Sequence, residues 1–196
     1  MIQSSTMAQQ QSPSQSSKFV RRVPQGDTRS RMVCDDCGFI NYENPKVVVG
    51  SVASWEDKIL LCRRSIHPRK GYWTLPAGFL ELGETPLDGA LREAREEAHA
   101  ELEIDQLLAV YTIRRLSQIQ LIYRARLLDP DVRAGEETME LDLFRWEAIP
   151  WHEIAFPSVH WALGHFDEVR EQPRFAPRTN PTGAVGDLSE LDRISS

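Results

Sequence analysis

Gly78–Ala100 reads GFLELGETPLDGALREAREEAHA, and the spacing within it decides the fold. Thr85 followed by Pro86 and Asp88 is a helix start. It offers a hydroxyl to cap free N–H groups, a proline where no N–H is needed, and an acid in the first turn. From there Leu87, Ala90, Leu91, Ala94 and Ala98 recur at helical spacing and predict a packing stripe. At about 100° per residue, Glu93, Glu96 and Glu97 fall together in another sector. Like charges three and four residues apart repel and weaken a bare helix. Two readings stand open on spacing alone. One is a solvated acidic face; the other is a carboxylate cluster that takes a hard divalent cation, Mg2+ or Mn2+, between its oxygens. A fourth acid, Glu84, sits in the glycine-punctuated loop just before the helix.

Working outward, Lys46–Trp55 and Lys58–Arg64 are β-branched and aliphatic runs separated by Glu56-Asp57, the pattern of a hairpin. Tyr72–Leu75 predicts a short strand entering the glycine loop. Leu102–Arg114, Gln118–Leu128 and Glu140–Trp146 alternate apolar and polar residues as strands do, and Ser158–Val169 carries helical spacing. Strands interrupted by one helix and closed by another predict an α/β domain, a mixed β-sheet with helices on both faces. Residues 1–18 are Gln/Ser-rich and predict a disordered tail; residues 170–196 mix Pro, Gly and charge and predict a flexible one.

Composition narrows the function classes. The chain has 196 residues, 41% hydrophobic and 27% charged, with a formal net charge of −6. That charge argues against a nucleic-acid surface. No apolar run approaches the ~20 residues of a membrane span, and the start lacks a secretory pattern, so a cytoplasmic protein is expected. Three cysteines do not make a disulfide framework.

The glycine loop and acidic helix resemble the Nudix box: glycine, five residues, Glu, seven residues, Arg-Glu, aliphatic, any, Glu-Glu, any, Gly, aliphatic. Gly78, Glu84, Arg92, Glu93, Ala94, Glu96, Glu97 and Ala100 fall on its positions, and His99 replaces the closing glycine. Histidine is among the residues that tolerate the left-handed conformation needed there. The resemblance implies a Nudix α/β/α sandwich and a metal-dependent hydrolase. It implies Glu96 and Glu97 as metal ligands, Glu93 as a further ligand or general base, and the Gly78 carbonyl as another donor. Arg92 would hold the carboxylates and Glu84 would orient Arg92. Of Glu136, Glu137 and Glu140 in the later acidic run, Glu137 is taken as the additional acid.

A wider resemblance runs through CDDCGFINYENPKVVVG, ILLCRRSIHPRKGYWTLPAGFLELGET and WHEIAFPSVHWAL, covering roughly residues 24 to 166. It is similar to a branch of Nudix FAD or ADP-ribose diphosphatases with an N-terminal zinc ribbon of two Cys-x-x-Cys pairs. Only Cys34 and Cys37 remain here, and two thiolates do not complete a tetrahedral site. Residues 19–45 are therefore expected as a zinc-ribbon remnant and zinc is not expected; residues 46–169 form the Nudix domain. The resemblance implies a small nucleotide substrate, FAD or ADP-ribose first and NADH next, and is compatible with a homodimer. Arg63, Arg64, Tyr72 and Trp73 are the candidates for substrate contact, alongside their bland readings as surface cations and core aromatics. The rival function is a Nudix-fold sensor or scaffold that binds an ADP-ribose-like ligand without cleaving it.

Overall fold

The computed structural model describes residues 18–194. The expected N-terminal tail lies outside them, apart from Lys18. The chain divides into two units, residues 1–44 and 45–196. In the first, β1 (Phe19–Arg22), β2 (Arg31–Cys34) and β3 (Ile40–Asn41) form an antiparallel sheet in that order. Asp27 fixes its first turn. The carboxylate accepts the N–H groups of Thr28 and Arg29 and the Arg31 Nε–H, at 2.6, 3.0 and 2.9 Å.

The second unit is a mixed sheet with one helix on each face. β4 (Lys46–Trp55) and β5 (Lys58–Arg64) are the predicted hairpin, and Glu56 takes a left-handed φ of 53° in its turn. The two strands pair only next to that turn, at Ser54 with Ile59 and Trp55 with Lys58. Further along they part, and two short strands fill the gap: β6 (Trp73–Thr74) pairs with β5 and β7 (Ala77–Phe79) with β4. This splay turns the glycine loop into part of the sheet, where the sequence suggested only a loop. β8 (Leu102–Ile113), β9 (Gln118–Leu127) and β10 (Thr138–Arg145) complete the order β10-β5-β4-β9-β8. β4 and β9 run parallel and the other pairs antiparallel.

Strand alternation assigns residues to the two faces. Along β5, Leu60 and Cys62 pack with Ala94 and Ala98 of helix α1 (Pro86–Ala98). Ile59 and Leu61 pack with Val159, Leu163 and Phe166 of helix α2 (Pro157–Val169). Fully burying each such Leu or Ile contributes about 1.5–3 kcal/mol.

Helix α1 begins as predicted. Asp88 N–H donates to Thr85 Oγ1 at 3.2 Å, and Thr85 N–H donates back to Asp88 Oδ2 at 3.4 Å. It ends with His99 at φ 48° and ψ 32°, the left-handed position expected of the departure, and Ala100 N–H reaches Ala94 O at 3.1 Å. The buried face differs from the predicted stripe. Leu87 is exposed, whereas Glu93 and Glu97 are buried beside Ala90, Ala94 and Ala98. The helix is rotated so that part of its acidic sector turns inward, under β7.

The chain after Arg170, expected as a flexible tail, makes contacts that its composition does not announce. Gln106 donates to Phe175 O, Phe175 packs on the α2-side core, and Asn180 bonds the backbone of Thr112. The edge strand β8 supplies unpaired backbone groups, which a polar segment satisfies as well as an apolar one. Among the described residues no helix is long and apolar enough to cross a membrane.

Candidate active site

The carboxylates of α1 meet β7 and the loop that follows it. Arg92 is their hub: its Nε–H donates to Glu84 Oε1 at 2.7 Å and its Nη2 to Glu84 Oε2 at 3.1 Å. Nη1 donates to Glu93 Oε1 at 2.7 Å and to Glu96 Oε2 at 2.9 Å, while Nη2 also reaches Phe79 O at 2.9 Å. A planar guanidinium can satisfy this fork of acceptors and an ammonium cannot. The carboxylate hydrogen bond to Arg92 holds Glu84 below the usual carboxylate range.

Glu93 and Glu97 are the strained charges. Burial pushes Glu93 up, against the opposing hydrogen bond from Arg92. Burial likewise pushes Glu97 up to about 7, with the neighbouring Glu93 and Glu137 charges adding to it. The Ala77 N–H at 3.1 Å and the Arg64 charge oppose that rise. Gly78 is required where β7 crosses these acids, because a Cβ there would lie 2.4 Å from both Glu93 carboxylate oxygens.

A second loop closes over the end of α1. Arg133 N–H donates to Ala98 O at 2.9 Å and Gly135 N–H to Glu97 O at 3.0 Å. Any Cβ on Gly135 would overlap Glu96 O, at 1.7 Å, so this close approach needs glycine. Ser65 binds the same loop through the carbonyls of Glu136 and Glu137. Gly135 was not anticipated, although it precedes the acidic run directly. Glu140 lies elsewhere, paired with Arg63 at 2.9 Å.

These acids line a cavity of about 990 Å3. Glu93, Glu96, Glu97, Glu136 and Glu137 form one wall with Gly78 and Arg92. The rest of the lining includes Val48, Ile113, Leu116, Phe156, Val159 and Leu188. Arg64 lines the cavity too, with its guanidinium 5.3 Å over the Phe156 ring. Three of the substrate candidates do not. Successive residues of β5 face opposite ways, so Arg63 turns aside to Glu140, Glu153 and Gly71 O. Trp73 is a core residue packed edge-on against Phe144 at 4.9 Å. Tyr72 carries the Arg69 guanidinium 3.5 Å over its ring.

Among the described residues no three His, Cys, Asp or Glu side chains converge as a ready metal cage. Arg92 takes one oxygen each of Glu93 and Glu96, and Glu97 accepts the Ala77 N–H. The donor chemistry nonetheless fits a hard dication. Glu93 and Glu97 are buried acids crowded by Glu137, all donors are oxygens, and the Gly78 backbone lies against Glu93.

A NUDIX domain family model matches residues 44–166. This chain belongs to the Nudix hydrolase family. A second model, for the Nudix N-terminal zinc ribbon, matches residues 16–43. A Nudix hydrolase of known structure from Nitrosomonas europaea is 46% identical, with a TM-score of 0.79, covering 85% of this chain and 97% of that one. An ADP-ribose pyrophosphatase from Methanocaldococcus jannaschii is 31% identical over 59% of this chain and 69% of its own length. The 8-oxo-dGDP phosphatase NUDT18 of Homo sapiens is 31% identical over 71% of this chain, which spans only 45% of that relative.

In this Nudix hydrolase the zinc-ribbon segment holds Cys34 buried and Cys37 exposed, both as free thiols. Backbone N–H groups of Cys37 and Asp36 hold the Cys34 thiol below its usual pKa. Residues 1–45 contain no other cysteine and no histidine. Two sulfur donors fall short of four, so the segment by itself does not fit a structural zinc ion.

Proposed function

We propose that this Nudix hydrolase is a Mg2+- or Mn2+-dependent diphosphatase that splits the P–O–P linkage of a nucleoside diphosphate derivative into two monophosphates. ADP-ribose is the first candidate substrate, supported by the name of the archaeal relative. FAD and then NADH follow. One observation carries the reading: buried Glu93 and Glu97, with Glu137 beside them, form the wall of a cavity large enough for a nucleotide.

In this reading Glu96 and Glu97 would hold the ion, with the Gly78 carbonyl and Glu137 as further oxygen donors, and Glu93 would act as the base. Once bound, such an ion offsets phosphoryl charge and lowers the pKa of a water. A water oxygen bonds to one phosphorus, the bridging P–O bond breaks, and the bridging oxygen leaves on the other phosphate. A carboxylate, Glu93 in our assignment, takes the water's proton. Arg92 keeps Glu84 and Glu93 in place, and Arg64 faces the substrate phosphates.

The human relative's name favours a second reading, an oxidised nucleoside diphosphate handled by the same acids. A panel of ADP-ribose, FAD, NADH and 8-oxo-dGDP with Mg2+ or Mn2+, products separated by chromatography, decides between them. Metal-dependent AMP and ribose 5-phosphate from ADP-ribose supports the first; preferential loss of phosphate from 8-oxo-dGDP supports the second. Tight binding of ADP-ribose with no turnover of any compound overturns both and favours a sensor.

A further inference from the structure

The segment that follows α2 lies beyond the residues matched by the NUDIX domain model, which end at 166. It runs beside the edge strand β8. Arg178 N–H donates to Leu108 O at 2.8 Å and Val110 N–H donates to Arg178 O at 2.9 Å, a parallel bridge of Ala109 with Arg178. Two residues on, the Asn180 side chain acts as a further backbone unit. Its Oδ1 accepts Thr112 N–H at 2.8 Å and its Nδ2 donates to Thr112 O at 3.0 Å. Four hydrogen bonds thus fasten this arm where the sheet has no other strand.

The arm then turns over the cavity. Asp187 and Glu190 form a capping box around the single 3-10 turn Leu188–Glu190. Glu190 Oε1 gathers the N–H groups of Val185, Gly186 and Asp187 at 2.9, 2.9 and 3.2 Å. Three donors on one carboxylate oxygen hold a loop of polar composition in a defined shape. Gly186 and Leu188 of this loop line the cavity, as do Ile113, Arg115 and Leu116 at the turn between β8 and β9.

The chemistry of this wall differs from that of the acids. Ile113, Leu116 and Leu188 are apolar, and the one ionisable side chain among these five residues is the Arg115 guanidinium. Aliphatic side chains with a planar cation suit a flat ring with a polar edge, on which a guanidinium stacks. The sheet places the two walls side by side rather than together. β4 pairs through Val48 with Phe79 of the glycine loop and through Lys46 with Gln118 at the start of β9.

We infer that residues 172–190 form a specificity arm whose Leu188 packs, with Arg115, against the nucleobase half of the substrate while the acids work on the diphosphate. This rests on the diphosphatase reading for its substrate, and it assigns the arm a binding role that the acid cluster does not need. In this scheme Leu188 touches the substrate and Asn180 is a positioning residue that acts through the arm.

The test compares Leu188→Ser, Asn180→Ala and wild type in the full chain. Steady-state kinetics use ADP-ribose, and calorimetry measures binding of AMP and of ribose 5-phosphate. Loss of one apolar contact in a pocket is worth roughly tenfold or more. Leu188→Ser is therefore expected to raise the KM for ADP-ribose and the Kd for AMP roughly tenfold, with kcat and ribose 5-phosphate binding held within about twofold. Asn180→Ala, which removes two of the four bonds between the arm and β8 without touching the cavity, is expected to move the same two constants in the same direction. Unchanged KM and AMP binding in both variants overturns the arm, as does an equal weakening of AMP and ribose 5-phosphate, which marks general damage. If wild type turns over nothing, the diphosphatase reading fails and the AMP against ribose 5-phosphate contrast still decides the arm.

Discussion

The two walls of the cavity are built in opposite ways. Most of the acidic wall comes from one short strand and one helix: Gly78 lies on β7, Arg92, Glu93, Glu96 and Glu97 lie on α1, and Arg92 reaches Glu93, Glu96 and Glu84 across one, four and eight residues. The apolar wall draws Val48 from β4, Ile113 from β8, Phe156 before α2 and Leu188 from the arm. Chemistry that needs charges a few ångströms apart is written economically on a helix, whose geometry fixes their spacing. A surface that must fit a ring has no such template and is assembled from distant pieces. The first wall is expected to control turnover and the second affinity.

The most damaging break in that division is Glu97→Gln. Even outer-sphere partners of a metal cost about ten- to a hundred-fold when removed, so loss of this carboxylate should lower kcat by more than about a hundred-fold. The same change should stabilise the metal-free protein. The native state holds the Glu97 proton to about pH 7, whereas an unperturbed glutamate releases it near 4.5. That contribution to stability is lost as pH rises across this interval, on the order of 2–3 kcal/mol by pH 8. Urea unfolding in EDTA at pH 5 and pH 8 should show the variant ahead only at the higher pH. A variant with near-normal kcat removes Glu97 from the machinery.

Arg92→Leu is next. It strips the cation from Glu84, Glu93 and Glu96 and should reduce kcat by roughly ten- to a hundred-fold, with a smaller change in KM. A rise in KM alone would move Arg92 from the acidic wall's organisation to substrate contact.

The α2 side answers pH in the opposite sense. Burial, and then the nearby His152, hold His160 down at about 4. Its native form stays neutral while the unfolded chain protonates near 6.5, so stability is lost as pH falls from 6.5 to 4. The loss is about 2 kcal/mol after allowance for the partial burial of the ring. His160→Phe keeps a ring beside Trp151, which stacks on the imidazole at 5.7 Å, and should flatten the acid limb of a Tm–pH curve. An unaltered acid limb would assign that loss of stability to other groups.

The smallest effect is expected at Arg63→Ala. Arg63 bridges Glu140 and Glu153 at the surface and lines no part of the cavity, and such pairs contribute about 0–1 kcal/mol. KM for ADP-ribose should stay within about twofold, whereas Arg64→Ala should raise it. Equal effects at the two positions would erase the distinction that β5 alternation draws.

Much of the architecture was legible in residue order. The hairpin Lys46–Arg64, the capping box at Thr85, the left-handed close at His99 and helix α2 follow from propensity, period and caps, which act over a few residues. The grouping of Glu93, Glu96 and Glu97 was legible for the same reason. Their difference was not: only packing under β7 buries Glu93 and Glu97 and leaves Glu96 exposed, and that burial is the largest cause of the raised proton affinity of Glu93 and Glu97. The same limit separates Arg63 from Arg64, adjacent cations that a pleated strand sends to different environments. It also covers Gly135, required by a helix thirty-odd residues before it, and the arm, whose polar residues look idle until β8 presents unpaired backbone. Local sequence determined which elements form and which charges share a helical turn, because those interactions close within one turn or one strand pair. Tertiary structure alone decided which of those charges lose water and which distant side chains complete the cavity, because desolvation and long-range contact belong to the packed assembly and to no segment of it.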